Sequence, residues 1–196
     1  MRTGMRRIKE KAARLKRYPR GRGFGVQSPN DYNFITKVVK GHIDSDCCKA
    51  IDNVCPDNHG DKYKFAHLCY RVAQYLKPVR CLCLMPQNEN IRHYVQSAVP
   101  GICFARSMDD NDIEKGRCLV IMSPAEDLVE DIEAAVCAAR ENVWMIIDGI
   151  RRDNDTYRCW LNISGDSAAR ITFDLYHYGI ICFDKKRYKQ NYKIYL

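Results

Sequence analysis

Apolar residues follow two alternating patterns from residue 62 to the end of the chain. In one pattern they recur three and four positions apart, as on the buried face of a helix; in the other they form short continuous runs typical of buried strands. This alternation predicts a mostly parallel sheet with helices on both faces. The predicted strands are 79–85, 102–106, 117–122 and 143–148, with two adjacent strands within 169–183. The predicted helices begin at Lys62, near residue 88, at the Ser123–Glu126 capping box, and before Tyr157, Trp160 and Leu161.

The segment "GVQSPNDYNFITKVVKG" (residues 25–41) predicts a capped helix. Ser28 can accept a hydrogen bond from the backbone N–H of Asp31, and proline is well tolerated in the first helical turn. The buried stripe is predicted to contain Tyr32, Ile35, Val38 and Val39, with Gly41 ending the helix. The glycines before Ser28 follow no strand, so a phosphate-binding loop is excluded on context.

Composition is that of a globular protein: 196 residues, 46% hydrophobic and 29% charged. No apolar stretch is long enough for a membrane span, and the N-terminus lacks the apolar core of a secretion signal, so we expect a cytoplasmic location. The eleven cysteines include no CxxC pair, which favours reduced, mostly buried thiols over a disulfide framework. Cys47, Cys48, Cys55 and His59 match no standard zinc spacing, so no metal is predicted.

Positive charge is concentrated at the N-terminus. Residues 1–25 contain ten Lys or Arg and one Glu, a net charge of +9, so the remaining residues carry −1 of the total +8. Such an arm attracts phosphate backbones and anionic lipid without sequence specificity. The alternative is a solvated, partly helical tail that only aids solubility. We therefore divide the chain into a basic arm (1–25) and a domain (26–196) with a helical lead-in (26–77). The arm residues predicted to contact nucleic acid or another anion are Arg14, Lys16, Arg17, Arg20 and Arg22.

Three segments together resemble a family of small class I, Rossmann-like S-adenosylmethionine-dependent methyltransferases of Bacteroidetes-type bacteria. They are "GFGVQSP" followed by "YNFITKVV", "RVAQYLKP" before the first core strand, and the ending "FDLYHYGIICFDKKRYKQNYKIYL". The match spans residues 21–196 and is most specific at its two ends. The resemblance implies an α/β three-layer sandwich with a mostly parallel Rossmann-like sheet, shortened by one strand–helix unit, and an antiparallel C-terminal strand pair. In that alignment, 102–106 corresponds to the third strand of the family.

The resemblance also implies where a cofactor would bind. In such methyltransferases the first strand ends in an acidic, glycine-rich turn, because glycine lets the backbone approach the cofactor. The corresponding turn here has no glycine, and Pro86 lacks an N–H donor. A metal-dependent branch would need carboxylates where this chain has Ser123 and the Asp148-Gly149 pair, so metal-assisted transfer is not expected. The implied cofactor-binding residues are Met85, Pro86, Gln87, Asn88, Asp109, Ser123 and Asp148.

Two functions stay open at this point. One is an S-adenosylmethionine-dependent methyltransferase with a divergent cofactor pocket, since methyl transfer needs mainly an acceptor held in line with the sulfonium. The other is a non-catalytic methyltransferase-like module that contacts RNA or an acidic partner through the basic arm. Neither the methyl acceptor nor a catalytic residue can be identified from this sequence.

Overall fold

A computed structural model describes residues 2–21, 25–44, 60–85, 89–105, 116–123 and 142–196, together with Asp46 and Ile51. Outside them lie the cysteines and histidine considered as metal ligands (Cys47, Cys48, Cys55 and His59) and, apart from Ser123, the helix predicted to begin at the Ser123–Glu126 capping box. Within them, five α-helices and seven strands are described. The helices are α1 (Arg2–Gly21), α2 (Pro29–Asn33), α3 (Asp61–Leu76), α4 (Glu89–Ala98) and α5 (Asn154–Gly165). A π-helical segment, Phe34–Val39, continues α2.

The strands form one mixed sheet in the order β2-β1-β3-β4-β6-β5-β7. Four of its six pairings are parallel, and the two made by β6, with β4 and β5, are antiparallel. This confirms the predicted α/β class, the mostly parallel sheet and the antiparallel C-terminal pair. The strands are β1 (Arg80–Leu84), β2 (Cys103–Ala105), β3 (Cys118–Met122), β4 (Val143–Asp148), β5 (Ile171–Asp174), β6 (Tyr178–Cys182) and β7 (Gln190–Lys193).

Side chains alternate between the two faces of the sheet and form two apolar clusters. On one face, α3, α4 and the π-helical segment pack against residues such as Cys81, Leu119 and Ile146. On the other, Trp160 and Ile163 of α5 pack against Val120, Met145 and Ile181. This two-sided burial explains why β3 and β4 are continuously apolar. The predicted face of α3 is confirmed, because Phe65, Leu68, Cys69, Val72 and Leu76 are all buried.

The lead-in helix begins as predicted, with the Ser28 hydroxyl accepting from the Asp31 N–H at 3.3 Å. Three of the four residues predicted to be buried, Ile35, Val38 and Val39, are buried. Tyr32 is instead 45% exposed, and Phe34 is buried against Trp144 and Phe173. The physical reason is the π-helical segment, in which the Lys40 N–H donates to the Ile35 carbonyl, five residues back. A wider turn breaks the 3.6-residue spacing on which the predicted stripe depends.

Two further features differ from the prediction. Strand β7 was not among the predicted strands, and it pairs in parallel with β5. As an edge strand it has mostly exposed side chains, so it lacks the apolar run that identifies a buried strand. In α5, Leu161 is 48% exposed, whereas Ile163 is buried beside Trp160.

The described thiols behave largely as small hydrophobic side chains. Cys69, Cys81, Cys83, Cys118 and Cys182 are reduced and buried, as predicted, whereas Cys103 on edge strand β2 is exposed. Burial raises the pKa of both Cys118 and Cys182 to about 11. Both thiols are therefore protonated at neutral pH and have little nucleophilic character.

Candidate functional site

The chain reverses direction across the sheet at β1. This strand lies between β2 and β3, so the chain first moves to one side of β1 and then returns to the other. In open α/β sheets, ligands bind outside the carboxyl ends of the strands at such a topological switch point. The carboxyl ends of β1 and β3 therefore define the candidate site by topology alone.

Three of the implied cofactor-binding residues lie side by side at this edge. Leu84 pairs with Met122, and Met122 pairs with Ile147. Met85, Ser123 and Asp148 each follow this row by one residue, which spreads them over about 10 Å at the usual strand spacing. All three are half-buried, so each is partly accessible from the edge. Of the other implied residues, Pro86, Gln87, Asn88 and Asp109 lie outside the described residues.

Asp148 ends β4, and the left-handed Gly149 (φ +68°) turns the chain toward α5. The N-cap of α5 is Asp153, whose side chain accepts from the Thr156 N–H at 2.8 Å. Asp148 is therefore not the cap of that helix. Burial raises the pKa of Cys69 on α3, and the thiols of Cys83 and Cys81 and the charge of Asp148 raise it further.

A second group of polar residues lies farther along the same edge, at the carboxyl end of β5. We call Arg17, Arg151, Asp174 and Tyr176 the Asp174 cluster. Arg151 donates to both carboxylate oxygens of Asp174 at 2.6 Å, and Arg17 donates to the same two oxygens at 2.8 and 3.3 Å. The carboxylate also accepts from the Tyr176 N–H at 3.0 Å. One nearly buried carboxylate is thus held by two bidentate guanidinium groups, the geometry that suits arginine best.

Aromatic rings complete the Asp174 cluster. The Arg151 guanidinium lies 4.4 Å from the centre of the Tyr157 ring and 5.2 Å from that of Tyr176. Tyr176 has a left-handed backbone (φ +76°), which is strained for a residue with a side chain. Burial opposes ionisation of Asp174, but the hydrogen bonds from Arg151 and Arg17 outweigh it and hold the pKa of the carboxyl below its ordinary value.

The polar face of α1 lies against this edge. Besides Arg17, Glu10 accepts from the Tyr195 hydroxyl at 2.9 Å and lies 3.1 Å from the His177 ring nitrogen. Burial and the Glu10 carboxylate together raise the pKa of Tyr195 to about 12. The segment predicted to be an arm is therefore a helix docked on the domain, and Arg17 binds a carboxylate of its own chain. Arg14 and Lys16 are exposed on α1, Arg20 is described only as part of the helix backbone, and Arg22 lies outside the described residues.

The two ends of the chain that carry the family resemblance contact each other. Asp31, 1% exposed at the start of α2, forms an ion pair with Arg187 and accepts from the Tyr192 hydroxyl at 2.9 Å. Burial and Asp31 raise the pKa of Tyr192 to about 12. Gly25 and Ser28 line a cleft of about 660 Å³ beside these residues. The start of α2 thus binds the C-terminal edge of the sheet.

The part of the chain that the structure describes contains no group of three His, Cys, Asp or Glu placed to hold a metal ion. None of the described helices combines the length and apolarity needed to cross a bilayer. No protein-family model, curated protein or solved structure matches this chain. The methyltransferase resemblance therefore stays a prediction.

The Asp174 cluster was not predicted, although the sequence contains one signal for it. Asp174 lies between Phe173 and Leu175 in a mainly apolar stretch, and a buried carboxylate there needs a cation as its partner. Its partner Arg17 lies 157 positions away in the chain, so no local pattern identifies the pair.

Proposed function

We propose that this chain is a class I methyltransferase-like protein that binds S-adenosylmethionine at the switch point between β1 and β3. The observation that carries the proposal is the row formed by Met85, Ser123 and Asp148 across the carboxyl ends of three adjacent parallel strands. The helices that pack on both faces of the sheet support the three-layer, Rossmann-like arrangement that the resemblance implies.

Each member of the row has a role in this proposal. Met85, half-buried at the end of β1, would contact the cofactor from the apolar side. Ser123, after β3, can donate to and accept from the polar edge of a nucleoside. Asp148, farther along the edge, would line the acceptor side. The chain would mainly have to hold acceptor and sulfonium in line.

A non-catalytic methyltransferase-like binding module is the second candidate, and the sequence of the turn after β1 favours it. Residues 85–88 read Met-Pro-Gln-Asn, with no glycine to let the backbone approach a ligand and no N–H at Pro86. The same feature predicts weak affinity in the first candidate, so ligand concentrations in the millimolar range are required.

Isothermal titration calorimetry tests the proposal. We expect both S-adenosylmethionine and S-adenosylhomocysteine to release heat with the wild-type chain. The variant Ser123→Leu should lose at least about tenfold in affinity, because it removes the hydroxyl and puts a larger side chain where the ligand is proposed to bind. Leu161→Ser, on an exposed position of α5 away from this edge, is the matched control and should bind like the wild type. If neither ligand gives heat, the methyltransferase proposal is wrong and the non-catalytic module stands.

A further inference from the structure

Helix α1 presents aliphatic side chains to solvent on the side opposite to its docked face. Glu10, Arg14 and Arg17 face the domain, whereas Ile8 and Leu15 are 69% and 79% exposed. Ile8 and Leu15 are seven positions apart, or about two helical turns, so they lie on one line along the helix. Ala12, between them, and Tyr18, beyond them, are also exposed. The helix thus contacts the domain through charged side chains and exposes Ile8 and Leu15 to solvent.

Positive charges border this aliphatic line. Lys11 and Lys16 are exposed beside it. The first 25 residues together carry a net charge of +9. A helix with an aliphatic stripe between cationic flanks is suited to lie in the headgroup region of an anionic bilayer. At 20 residues, α1 is about 30 Å long, enough to lie along such a surface without crossing it.

We propose that the outward face of α1, defined by Ile8, Ala12 and Leu15 with Lys11 and Lys16 beside them, binds the surface of an anionic lipid bilayer. Charge and apolar contact favour the bilayer over two other partners, a second copy of the chain and a nucleic acid. A second copy of the chain would bring two strongly positive helices together, which costs repulsion. A nucleic acid would use the cations but would leave Ile8 and Leu15 without an apolar partner. The proposal is independent of the cofactor site, and it requires no undocking of α1.

Vesicle co-sedimentation of the full chain tests this proposal. We expect binding to vesicles of equimolar phosphatidylcholine and phosphatidylglycerol, and much weaker binding to phosphatidylcholine alone. Leu15→Ser should weaken binding to the anionic vesicles about tenfold, and Ile8→Ser should have a similar effect, because each removes an inserted aliphatic side chain without changing charge. Lys11→Gln or Lys16→Gln should each weaken it about fivefold.

Leu161→Ser is the matched control, because it removes an exposed leucine from a different helix and should leave vesicle binding unchanged. Since Leu15 is so exposed, its variant should also keep the wild-type urea midpoint, which separates lost binding from lost folding. Equal binding by Leu15→Ser, Ile8→Ser and the wild type would overturn the proposal, because attraction would then be electrostatic only. Binding to an RNA homopolymer with none to either vesicle would overturn it as well, and so would self-association through this face in the absence of vesicle binding.

Discussion

Asp174→Asn is expected to lower the free energy of unfolding by about 3–5 kcal/mol, the usual cost of removing one partner of a buried ion pair. Asp174 is 5% exposed, and its carboxylate accepts hydrogen bonds from two guanidinium groups. Without it, Arg17 and Arg151 would face each other with no anion between them, and α1 would lose its most buried attachment. Urea denaturation of wild type and variant at neutral pH measures the difference.

The control is Asp155→Asn, which breaks the exposed ion pair with Arg158. That pair is open to solvent on both sides, so its loss should change stability by less than about 1 kcal/mol. Equal midpoints for Asp174→Asn and Asp155→Asn would contradict the importance of the Asp174 cluster.

The pH dependence of stability tests the same cluster in a second way. The pKa of Asp174 in the folded chain is below its ordinary value of 3.8. Its contribution to stability is therefore complete above the ordinary pKa and is lost as the pH falls from there through the folded pKa. We expect the stability difference between the wild type and Asp174→Asn to be constant near neutral pH and to shrink below about pH 4. A difference that stays constant down to acidic pH would contradict the ion pair.

Gly179→Ala is expected to destabilise the folded chain, because the ring of Trp160 lies directly over this glycine in β6. A Cβ atom at residue 179 would be 2.4 Å from Cζ3 and 2.8 Å from Cε3 of that ring. Trp160 is itself buried in the cluster between α5 and the sheet, so it has little room to move. Overpacking of this kind costs about 1–3 kcal/mol, measured as a loss in the free energy of unfolding.

A double-mutant cycle identifies the cause of that loss. In a Trp160→Leu background the Gly179→Ala penalty should be smaller, because the clashing ring is gone. Gly165→Ala is the matched control: no atom lies within 4 Å of the added Cβ, so we expect no destabilisation. The same penalty in both backgrounds would mean that the ring is not responsible.

The parts of the fold that depend on burial on both faces could be predicted from sequence. Strands β3 and β4 and helix α3 have strong apolar patterns because nearly all their neighbours are apolar too. The elements that were not predicted from the sequence do not depend on burial on both faces. Strand β7 is held by backbone pairing at an exposed edge, and the π-helical segment changes the spacing on which helical prediction depends.

The candidate site divides in the same way. The position of Ser123 and Asp148 at the carboxyl edge could be expected, since parallel strands bring their ends together. The docking of α1 could not be expected, because Arg17 and Glu10 contact residues more than 150 positions away in the chain. Charge alone predicted a partner for this helix, but not that Asp174 of the same chain would bind Arg17.

The position of S-adenosylhomocysteine in soaked crystals tests most directly whether a nucleoside ligand binds at the switch point. We expect the ligand to lie over the carboxyl ends of β1 and β3, in contact with Met85 and Ser123. A ligand bound elsewhere, or side chains of the turn after β1 filling that space, would contradict it.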